Sequence, residues 1–202
     1  MKTINLRDNK YKETSDNKFV HNIKNNLFVI SSYIEFGEYD KAKNKIKEIC
    51  KMSPCTTQTH ITNNKIIDSF INAKIAKASK FGIKCHYNTL SAQTLPNNIQ
   101  FFTDMDICQA IGNAFDNAVD YLNSIDNELH KKIDIEFDYK DNIFYCKILN
   151  FINDEIEINN SIIKTSKENP DEHGFGITTM VEIVTKYSGS ISFEQENNTL
   201  SV

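Results

Sequence analysis

The sequence lacks several features that would assign it to a special class of protein. It has no apolar run near the roughly 20 residues of a membrane-spanning helix, and no secretory signal at its N-terminus. Its five cysteines form no CxxC pair and have no metal-ligand spacing with histidine, which favours reduced, packed thiols. The net charge of −4 provides no basic surface for nucleic acid or an anionic membrane. We therefore expect a cytoplasmic protein that contacts neither nucleic acid nor membrane through this segment.

The rest of the composition is ordinary for a globular protein. A chain of 202 residues suits one medium domain, or one domain with a small helical appendage. Hydrophobic residues make up 40% and charged residues 25% of the chain, which is enough to bury a core. Residues 1–16 are polar and are predicted to be a linker or tail.

The first strongly helical pattern begins near Asn17. Four apolar residues recur at helical spacing and form a narrow stripe: Ile23, Leu27, Ile30 and Ile34. Gly37 ends this helix, and a second amphipathic helix follows. Two short helices joined by a tight turn are typical of an antiparallel hairpin, which has too little core to fold alone. We therefore predict a helical hairpin over residues 17–55 that pairs with a second copy as a four-helix dimer.

From residue 60 onward the pattern mixes helices and strands. Pro54 and a threonine-rich run interrupt the chain before this point. Periodicity, caps and turn signals predict elements in this order: helix 64–80, strand 83–90, helix 104–124, strands 132–139 and 143–150, helix 175–187, and a strand pair turning at 197–198. The order favours an α/β sandwich over residues 60–202, with one sheet and helices on one of its faces.

His21 lies on the first helix, roughly opposite the apolar stripe. Because a helix turns by about 100° per residue, its ring faces solvent in line with Asn25. A solvent-facing imidazole can present a free ring nitrogen to an incoming phosphoryl group. An ordinary surface histidine is the competing interpretation, and the local pattern alone does not decide between them.

Two further segments carry polar or small residues in patterns that suit phosphate and metal chemistry. On helix 104–124 four polar residues share one side: Asn113, Asp116, Asn117 and Asp120. The competing interpretation is a solvated helix face. At the start of the last helix stands His173-Gly174-Phe175-Gly176, where unpaired N–H groups and the helix dipole favour an anion. Lys167, just before it, is a candidate phosphate-neutralising side chain or a plain solvated lysine.

These segments resemble, in order, the sequence boxes of a known group of signalling proteins. The run FVHNIKNNL resembles the phosphoacceptor box of peptide- and citrate-responsive sensor histidine kinases. GNAFDNA resembles the N-box of the GHKL ATP-binding superfamily, and HGFGITTMVEIVTKYSGSI resembles the G2 box and final helix of the same kinases. The resemblance covers about residues 18–202. It implies a Bergerat-type GHKL α/β sandwich with a mixed, mostly antiparallel sheet, in which the polar stretch 151–172 is the ATP lid.

The resemblance also implies a role for each residue that matches a box. His21 corresponds to the phosphoacceptor, and Asn25 to the residue that orients water when the response regulator is dephosphorylated. Asn117 corresponds to the ligand of Mg²⁺, an ion that prefers hard oxygen donors, and Asn113 lies beside the phosphates. The predicted ATP-binding set, including the loop before the last helix, is Asn113, Asn117, Asn150, Lys167, His173, Gly174 and Gly176.

Three positions depart from the family pattern. Asn22 stands where the family has an acidic residue that takes the imidazole proton, and an amide cannot act as that base. Asn113 stands where ATP-hydrolysing members have glutamate, which favours transfer to a protein nucleophile over hydrolysis. No Asp-x-Gly-x-Gly box follows the second hairpin strand. The peptide-responsive kinases that this sequence resembles also often lack the box and carry an Asn near the strand end, and this resemblance implies that Asn150 recognises adenine, with Asp154 as the alternative.

The leading hypothesis is therefore the core of a two-component sensor histidine kinase. ATP with Mg²⁺ would phosphorylate His21 of the same or the partner protomer in a homodimer, and the phosphoryl group would pass to a response regulator receiver domain. The chain would then be cytoplasmic or the cytoplasmic portion of a membrane-bound sensor. One alternative is a degenerate kinase that binds nucleotide as a regulator or acts as a response-regulator phosphatase through Asn25. Another is a serine kinase or ATPase of the same superfamily.

Overall fold

The computed structural model describes residues 3–50, 61–62, 64–89, 102–125, 128–153, 158–159, 162–163 and 175–202. The chain divides into two units, Met1–Pro54 and Cys55–Val202. The first unit contains helices, and the second contains a sheet with helices packed against it.

The first unit contains α1 (Thr3–Glu35) and α2 (Tyr39–Cys50), which contact each other. Gly37 has a φ of +73°, a left-handed conformation that glycine adopts without the clash of a Cβ atom. In the same turn the Glu38 N–H donates to the Tyr33 carbonyl at 2.7 Å. Gly37 therefore closes α1, as its sequence position predicts.

The start of α1 differs from the sequence prediction. The helix begins at Thr3 rather than near Asn17. Residues 3–16 contain neither proline nor glycine and include several strong helix formers, so their polar composition does not interrupt the helix. The assignment of residues 1–16 as a linker or tail stays a prediction, as does the pairing of this unit into a four-helix bundle.

The apolar residues of the first unit are only partly buried within it. Ile30 on α1 and Ala42 on α2 are buried, whereas Leu27 is 59% and Phe28 is 73% exposed. Several other large apolar side chains on or between these helices are also exposed: Val20, Ile23, Val29, Ile34, Phe36, Tyr39, Ile46 and Ile49. An exposed apolar surface of this extent is typical of a protein-interaction surface.

The second unit contains a five-stranded sheet in the order β1-β2-β3-β7-β6. Its strands are β1 (Lys84–Thr89), β2 (Lys132–Lys140), β3 (Ile143–Phe151), β6 (Glu194–Glu196) and β7 (Thr199–Ser201). The β1–β2 pair is parallel and the other pairs are antiparallel. A separate short ladder joins β4 (Ile158–Asn159) to β5 (Ile162–Ile163). The predicted α/β class with a mixed sheet is confirmed.

The helices of this unit are α3 (Lys65–Ser79), α4 (Asp104–Ser124) and α5 (Phe175–Lys186). The central helix α4 contacts α3, α5 and β3. Thr103 caps α4 by accepting a hydrogen bond from the Asp106 N–H at 3.1 Å, a position at which threonine is favoured. The start and end of α4 agree with the sequence prediction because this cap and the amphipathic pattern are local signals.

Asn64 both caps α3 and connects it to α4. Its Oδ1 accepts from the N–H groups of Ile66 and Ile67 at 2.9 and 3.2 Å. Its Nδ2 donates to Asp104 Oδ1 at 2.9 Å. Since Asn64 is buried, the cap also satisfies a polar group that would be costly without partners.

The core lies between one face of the sheet and the three helices. On β2 every second residue is buried, which is the expected pattern for a strand with one covered face. The most completely buried large side chains of this unit include Ile67, Ile71, Ile83, Phe115, Leu122, Ile133, Ile135, Ile148, Ile152 and Met180. The helices are therefore held on the face of the sheet to which Ile133 and Ile135 point.

Cys50, Cys85, Cys108 and Cys146 are free thiols in the described part of the chain. Cys108 is buried, and this burial raises its pKa to about 11. A thiol with so high a pKa stays protonated and unreactive at neutral pH. The expectation of packed, reduced thiols is met by Cys108, whereas Cys50 is exposed.

A polar cluster joins the start of α4 to the end of α5. Asp106 accepts hydrogen bonds from Lys186 Nζ at 2.7 Å and from the Tyr187 hydroxyl. The Phe102 ring packs against Tyr187 with a centroid distance of 4.7 Å. Hydrogen bonds from Lys186, Tyr187 and Thr103 lower the pKa of Asp106 to about 2, and the bond to Asp106 raises the pKa of Lys186. Folding therefore favours the charged form of Asp106.

We expect this cluster to make stability depend on pH in the acid range. The pKa of Asp106 falls from 3.8 to about 2 on folding, so its stabilising contribution is complete above about pH 5 and is lost as the pH falls through 3.8 toward 2. Asp106→Asn should lower Tm at pH 7. The difference in Tm from wild type should shrink between about pH 5 and pH 2 in thermal unfolding followed by circular dichroism.

Glu182→Gln provides the matched control for this titration. Glu182 lies exposed on α5, the helix that also carries Lys186. Its variant should follow the wild-type Tm across the same pH range. A Tm difference for Asp106→Asn that does not change with pH would contradict the assigned contribution.

Candidate functional site

Asn113 and Asn117 lie one turn apart on the outer side of α4. Asn113 is half-buried and Asn117 is exposed, while Ile111, Ala118 and Leu122 of the same helix are buried. Residues four apart on a helix differ by about 40° in direction, so the two amides share one accessible face. Amide oxygens are suitable ligands for a hard cation.

Gly176, in the first turn of α5, lies against Asn113. A Cβ atom on Gly176 would be 3.8 Å from Asn113 Cβ and 3.9 Å from Asn113 Oδ1. The first N–H groups of a helix have no partner within the helix and favour an anion. The structure therefore brings an amide of α4 to the N-terminal end of α5, where phosphate-binding groups are expected.

Asp116 does not share this accessible face. It forms an ion pair with Lys74 of α3, and Lys77 Nζ lies 4.0 Å from its other oxygen. One turn earlier, a Cβ atom on Gly112 would be only 2.9 Å from the Phe70 ring. This side of α4 therefore packs against α3. The sequence pattern placed Asp116 on one side of the helix with Asn113 and Asn117, but in the structure Asp116 faces α3.

Asn150 lies near the end of β3 and is 5% exposed. It pairs with Ile133 on β2 and shares the helix-covered face of the sheet with Ile148. Its Nδ2 donates to the Phe151 carbonyl at 2.9 Å. A carbonyl only accepts hydrogen bonds, so this contact fixes the amide orientation and leaves Oδ1 as an acceptor.

Tyr121, which no sequence box singled out, connects α4 to the chain leaving β3. Its hydroxyl oxygen accepts a hydrogen bond from the Asn153 N–H at 2.7 Å. Tyr121 follows Asn117 by one helical turn. This spacing is the sequence signal that would have placed Tyr121 next to Asn117 on the helix surface.

His21 is exposed on α1 and contacts Asn25 on the next turn. Asn25 Nδ2 lies 3.3 Å from His21 Nδ1. When the amide donates this bond, Nδ1 is unprotonated and the neutral ring has its proton on Nε2. The neighbouring Asn22 is also exposed, and its amide cannot remove that proton.

Four candidate site residues from the sequence lie outside the described part of the chain: Lys167, His173, Gly174 and Asp154. The proposed lid 151–172 also lies mostly outside it. Their roles stay predictions. The nucleotide and metal roles of Asn113, Asn117, Asn150 and Gly176 stay predictions too, although Asn113 and Gly176 lie near each other.

A groove of about 690 Å³ lies elsewhere, among α4, α5 and β3. Most of its lining is apolar, for example Ile107, Ala110, Met180 and Val184. The residues Asn113, Asn117, Asn150 and Gly176 do not line it. The groove is therefore separate from the polar face of α4.

The described residues contain no cluster of three or more His, Cys, Asp or Glu side chains that could hold a metal ion. In the same part of the chain, no helix combines the length and the apolar character needed to cross a membrane.

Residues 102–202, half of the chain, match the family model of the GHKL domain. The protein therefore belongs to the GHKL family. No curated protein matches the sequence. Among solved structures, the histidine kinase AdeS of Acinetobacter baumannii is similar, with 11% sequence identity and a TM-score of 0.45 over 90% of this chain and 94% of that chain. A likeness of this degree carries no argument about function.

Proposed function

We propose that this protein is the core of a two-component histidine kinase. In this proposal the GHKL unit binds ATP with Mg²⁺, and a ring nitrogen of His21 attacks the γ-phosphorus. An N–P bond forms as the bond to the β-phosphate oxygen breaks, and ADP leaves. The phosphoryl group then passes to an aspartate of a response regulator receiver domain. Membership of the GHKL family supports the binding of ATP and Mg²⁺, because GHKL ATPase domains in general bind both.

The closeness of Asn113 to Gly176 is the observation that carries the nucleotide site. These residues belong to two boxes that are distant in sequence, and in the fold a Cβ atom added at Gly176 would lie 3.8 Å from Asn113 Cβ. The site would hold phosphates between the exposed amide of Asn117 and the N-terminus of α5. Mg²⁺ bound at Asn117 would screen the phosphate charge.

Two further observations favour transfer to a protein nucleophile over ATP hydrolysis. Asn113 stands at the position of the hydrolytic glutamate and cannot act as a general base toward water. His21 is exposed on α1, so a ring nitrogen is accessible to an incoming phosphoryl group.

A homodimer through α1 and α2 is part of the proposal. The exposed apolar side chains of these helices, such as Leu27 and Ile34, need a partner surface to leave water. A second copy offers the same stripe, and paired stripes of this spacing favour a helical bundle.

We expect the size of residue 176 to control nucleotide binding. Gly176→Ala should fold with unchanged or slightly higher stability, by up to about 1 kcal/mol, because its Cβ would be in ordinary contact with Asn113. Gly176→Leu should displace the Asn113 amide and reduce MgADP affinity by about tenfold or more. Titration calorimetry measures both affinities, and circular dichroism verifies the fold.

The alanine variant is the matched control, because it has the same backbone and only a smaller side chain. We expect its MgADP affinity to stay within about threefold of wild type. If the leucine variant is folded and binds MgADP as tightly as wild type, the phosphates do not lie at this contact.

A response-regulator phosphatase with little kinase activity is the second candidate function. The contact of Asn25 with His21 Nδ1 favours it, because the ring proton then resides on Nε2 and Asn22 cannot remove it. Incubation of the protein with Mg²⁺ and radiolabelled ATP separates the two functions. Nucleotide binding without acid-labile protein phosphate would support the phosphatase.

A further inference from the structure

His21 and Asn25 form a side-chain pair on one exposed face of α1. Both residues are exposed, and Asn25 Nδ2 lies 3.3 Å from His21 Nδ1. The two residues are four apart, so their side chains meet on the helix surface. A neutral imidazole carries its single ring N–H proton on either Nδ1 or Nε2, and the hydrogen bond made by one nitrogen sets the state of the other. Asn25 is therefore placed to select the tautomer of the His21 ring.

The two ends of the Asn25 amide have opposite effects on this ring. When Nδ2 donates to His21 Nδ1, the ring proton lies on Nε2, which then has no free lone pair. A half-turn of the amide about its last side-chain bond places Oδ1 where Nδ2 was, and both orientations are allowed for this kind of bond. Oδ1 accepts a hydrogen bond from Nδ1–H, so the free lone pair is then on Nε2, the nitrogen that points away from Asn25.

The sequence places no acidic residue next to His21 on the surface of α1. The positions three and four residues away are its neighbours on a helix, and they are Asn17, Lys18, Lys24 and Asn25. Asn22, the following residue, points about 100° away from His21. An amide oxygen is therefore the acceptor that this surface offers to Nδ1–H, and Asn25 is within reach of it.

An amide oxygen can assist the attack although an amide is not a base. It does not take up the ring proton at neutral pH, but it accepts a hydrogen bond as a carboxylate oxygen does. When Nε2 bonds to phosphorus, positive charge develops on the ring and Nδ1–H becomes a charged donor. A hydrogen bond from a charged donor is roughly twice as strong as a neutral one, so the bond to Asn25 Oδ1 strengthens during the attack.

We propose that Asn25 is a positioning residue for phosphorylation of His21, and that the orientation of its amide decides whether the ring reacts. With Oδ1 toward the ring, Nε2 attacks the γ-phosphorus, an N–P bond forms, the bond to the β-phosphate oxygen breaks and ADP leaves. The Nδ1 proton then passes to water, because His21 is exposed. With Nδ2 toward the ring, Nε2 is protonated and transfer is blocked. The inference rests on the proposed function, since it requires that ATP reaches His21.

The tautomer of His21 is measured from the ¹⁵N chemical shifts of its two ring nitrogens, without any phosphorylation. Aspartate has nearly the size of asparagine but only accepts hydrogen bonds when ionised. Asn25→Asp should therefore raise the ratio of the Nδ1–H to the Nε2–H form by about threefold to tenfold relative to Asn25→Ala. Wild type should have less of the Nδ1–H form than Asn25→Asp. The spectra are recorded at about pH 9, where an ordinary histidine is neutral.

The rate of labelling by Mg²⁺ and radiolabelled ATP should follow the tautomer ratio. Asn25→Asp should be labelled about threefold to tenfold faster than Asn25→Ala, because more of its rings have a free lone pair on Nε2. The phosphate should be on Nε2, which ³¹P spectroscopy distinguishes from Nδ1. MgADP affinity should be equal in the two variants, since residue 25 lies outside the GHKL unit.

Asn26→Asp is the matched control, because it adds the same charge one residue further along α1. Asn26 is half-buried, and its side chain points about 140° away from that of His21. Circular dichroism verifies that the variant is folded. Its tautomer ratio and its labelling rate should equal those of wild type, which separates the hydrogen bond at Nδ1 from the effect of an added negative charge.

Equal tautomer ratios in Asn25→Asp and Asn25→Ala would overturn this inference while leaving the proposed kinase intact. Phosphate found on Nδ1 would overturn it too, because Asn25 would then cover the reacting nitrogen. If wild type and both variants bind MgADP but none is labelled, the kinase itself is overturned, and with it the role of Asn25 in transfer.

Discussion

Asn117→Ala is expected to weaken magnesium-dependent nucleotide binding by about 100-fold. The Asn117 side chain is exposed on α4 next to the turn that contacts the start of α5. Alanine keeps the helix but removes the amide oxygen assigned to Mg²⁺, and the cation and the phosphates bind as a unit. Titration of the variant with ADP, with and without Mg²⁺, measures the effect. The loss should be largest when Mg²⁺ is present.

Asn123→Ala provides the control on the same helix. Asn123 is also an exposed asparagine of α4, but it points about 120° away from Asn117. Its variant should bind MgADP as wild type does and should have a similar Tm. Equal MgADP affinity in Asn117→Ala and Asn123→Ala would show that the cation does not bind at Asn117.

Much of the fold was predictable because its signals are local. The start of α4 at Asp104 follows from the Thr103 cap, and the turn between β2 and β3 follows from Asp141 and Asn142, which both have positive φ. The start of α1 was not predictable from polarity, since a polar segment without proline or glycine continues a helix readily. The strand order of the sheet depends on pairings between distant segments, which no local pattern records.

The candidate site was predictable only in part, for the same reason. The resemblance to known boxes identified Asn113 and Gly176 separately, and the fold was needed to place them near each other. Asp116 was grouped with Asn113 because a helical pattern does not reveal which side meets α3. The hydrogen bond between Tyr121 and Asn153 was not predictable, because it joins residues on two different elements.

Helix α4 organises the second unit because each of its sides has a different neighbour. One side meets α3 through Gly112 and Asp116, and another is buried against the sheet through Phe115 and Leu122. The remaining side carries the amides near α5. A helix held on two sides is a rigid base for polar groups, and rigid placement is what a phosphate site needs.

His21→Gln is expected to abolish acid-labile phosphorylation of the protein by Mg²⁺ and radiolabelled ATP. Glutamine has a similar size but no nucleophilic ring nitrogen, so no N–P bond can form at this position. His21 is exposed on α1, and the substitution leaves the GHKL unit unchanged. The variant should therefore bind MgADP with wild-type affinity, which separates loss of the acceptor from loss of the nucleotide site.

His86→Gln is the matched control, because His86 is also an exposed histidine. It lies on β1 beside Asp134 and has no assigned role in transfer, so its labelling should equal that of wild type. Labelling that persists in His21→Gln would move the phosphoacceptor to another residue. If wild-type protein binds MgADP but is not labelled, the phosphatase is favoured instead. In that case the nucleotide site is intact, and the His21 ring fails to react because no base removes its proton.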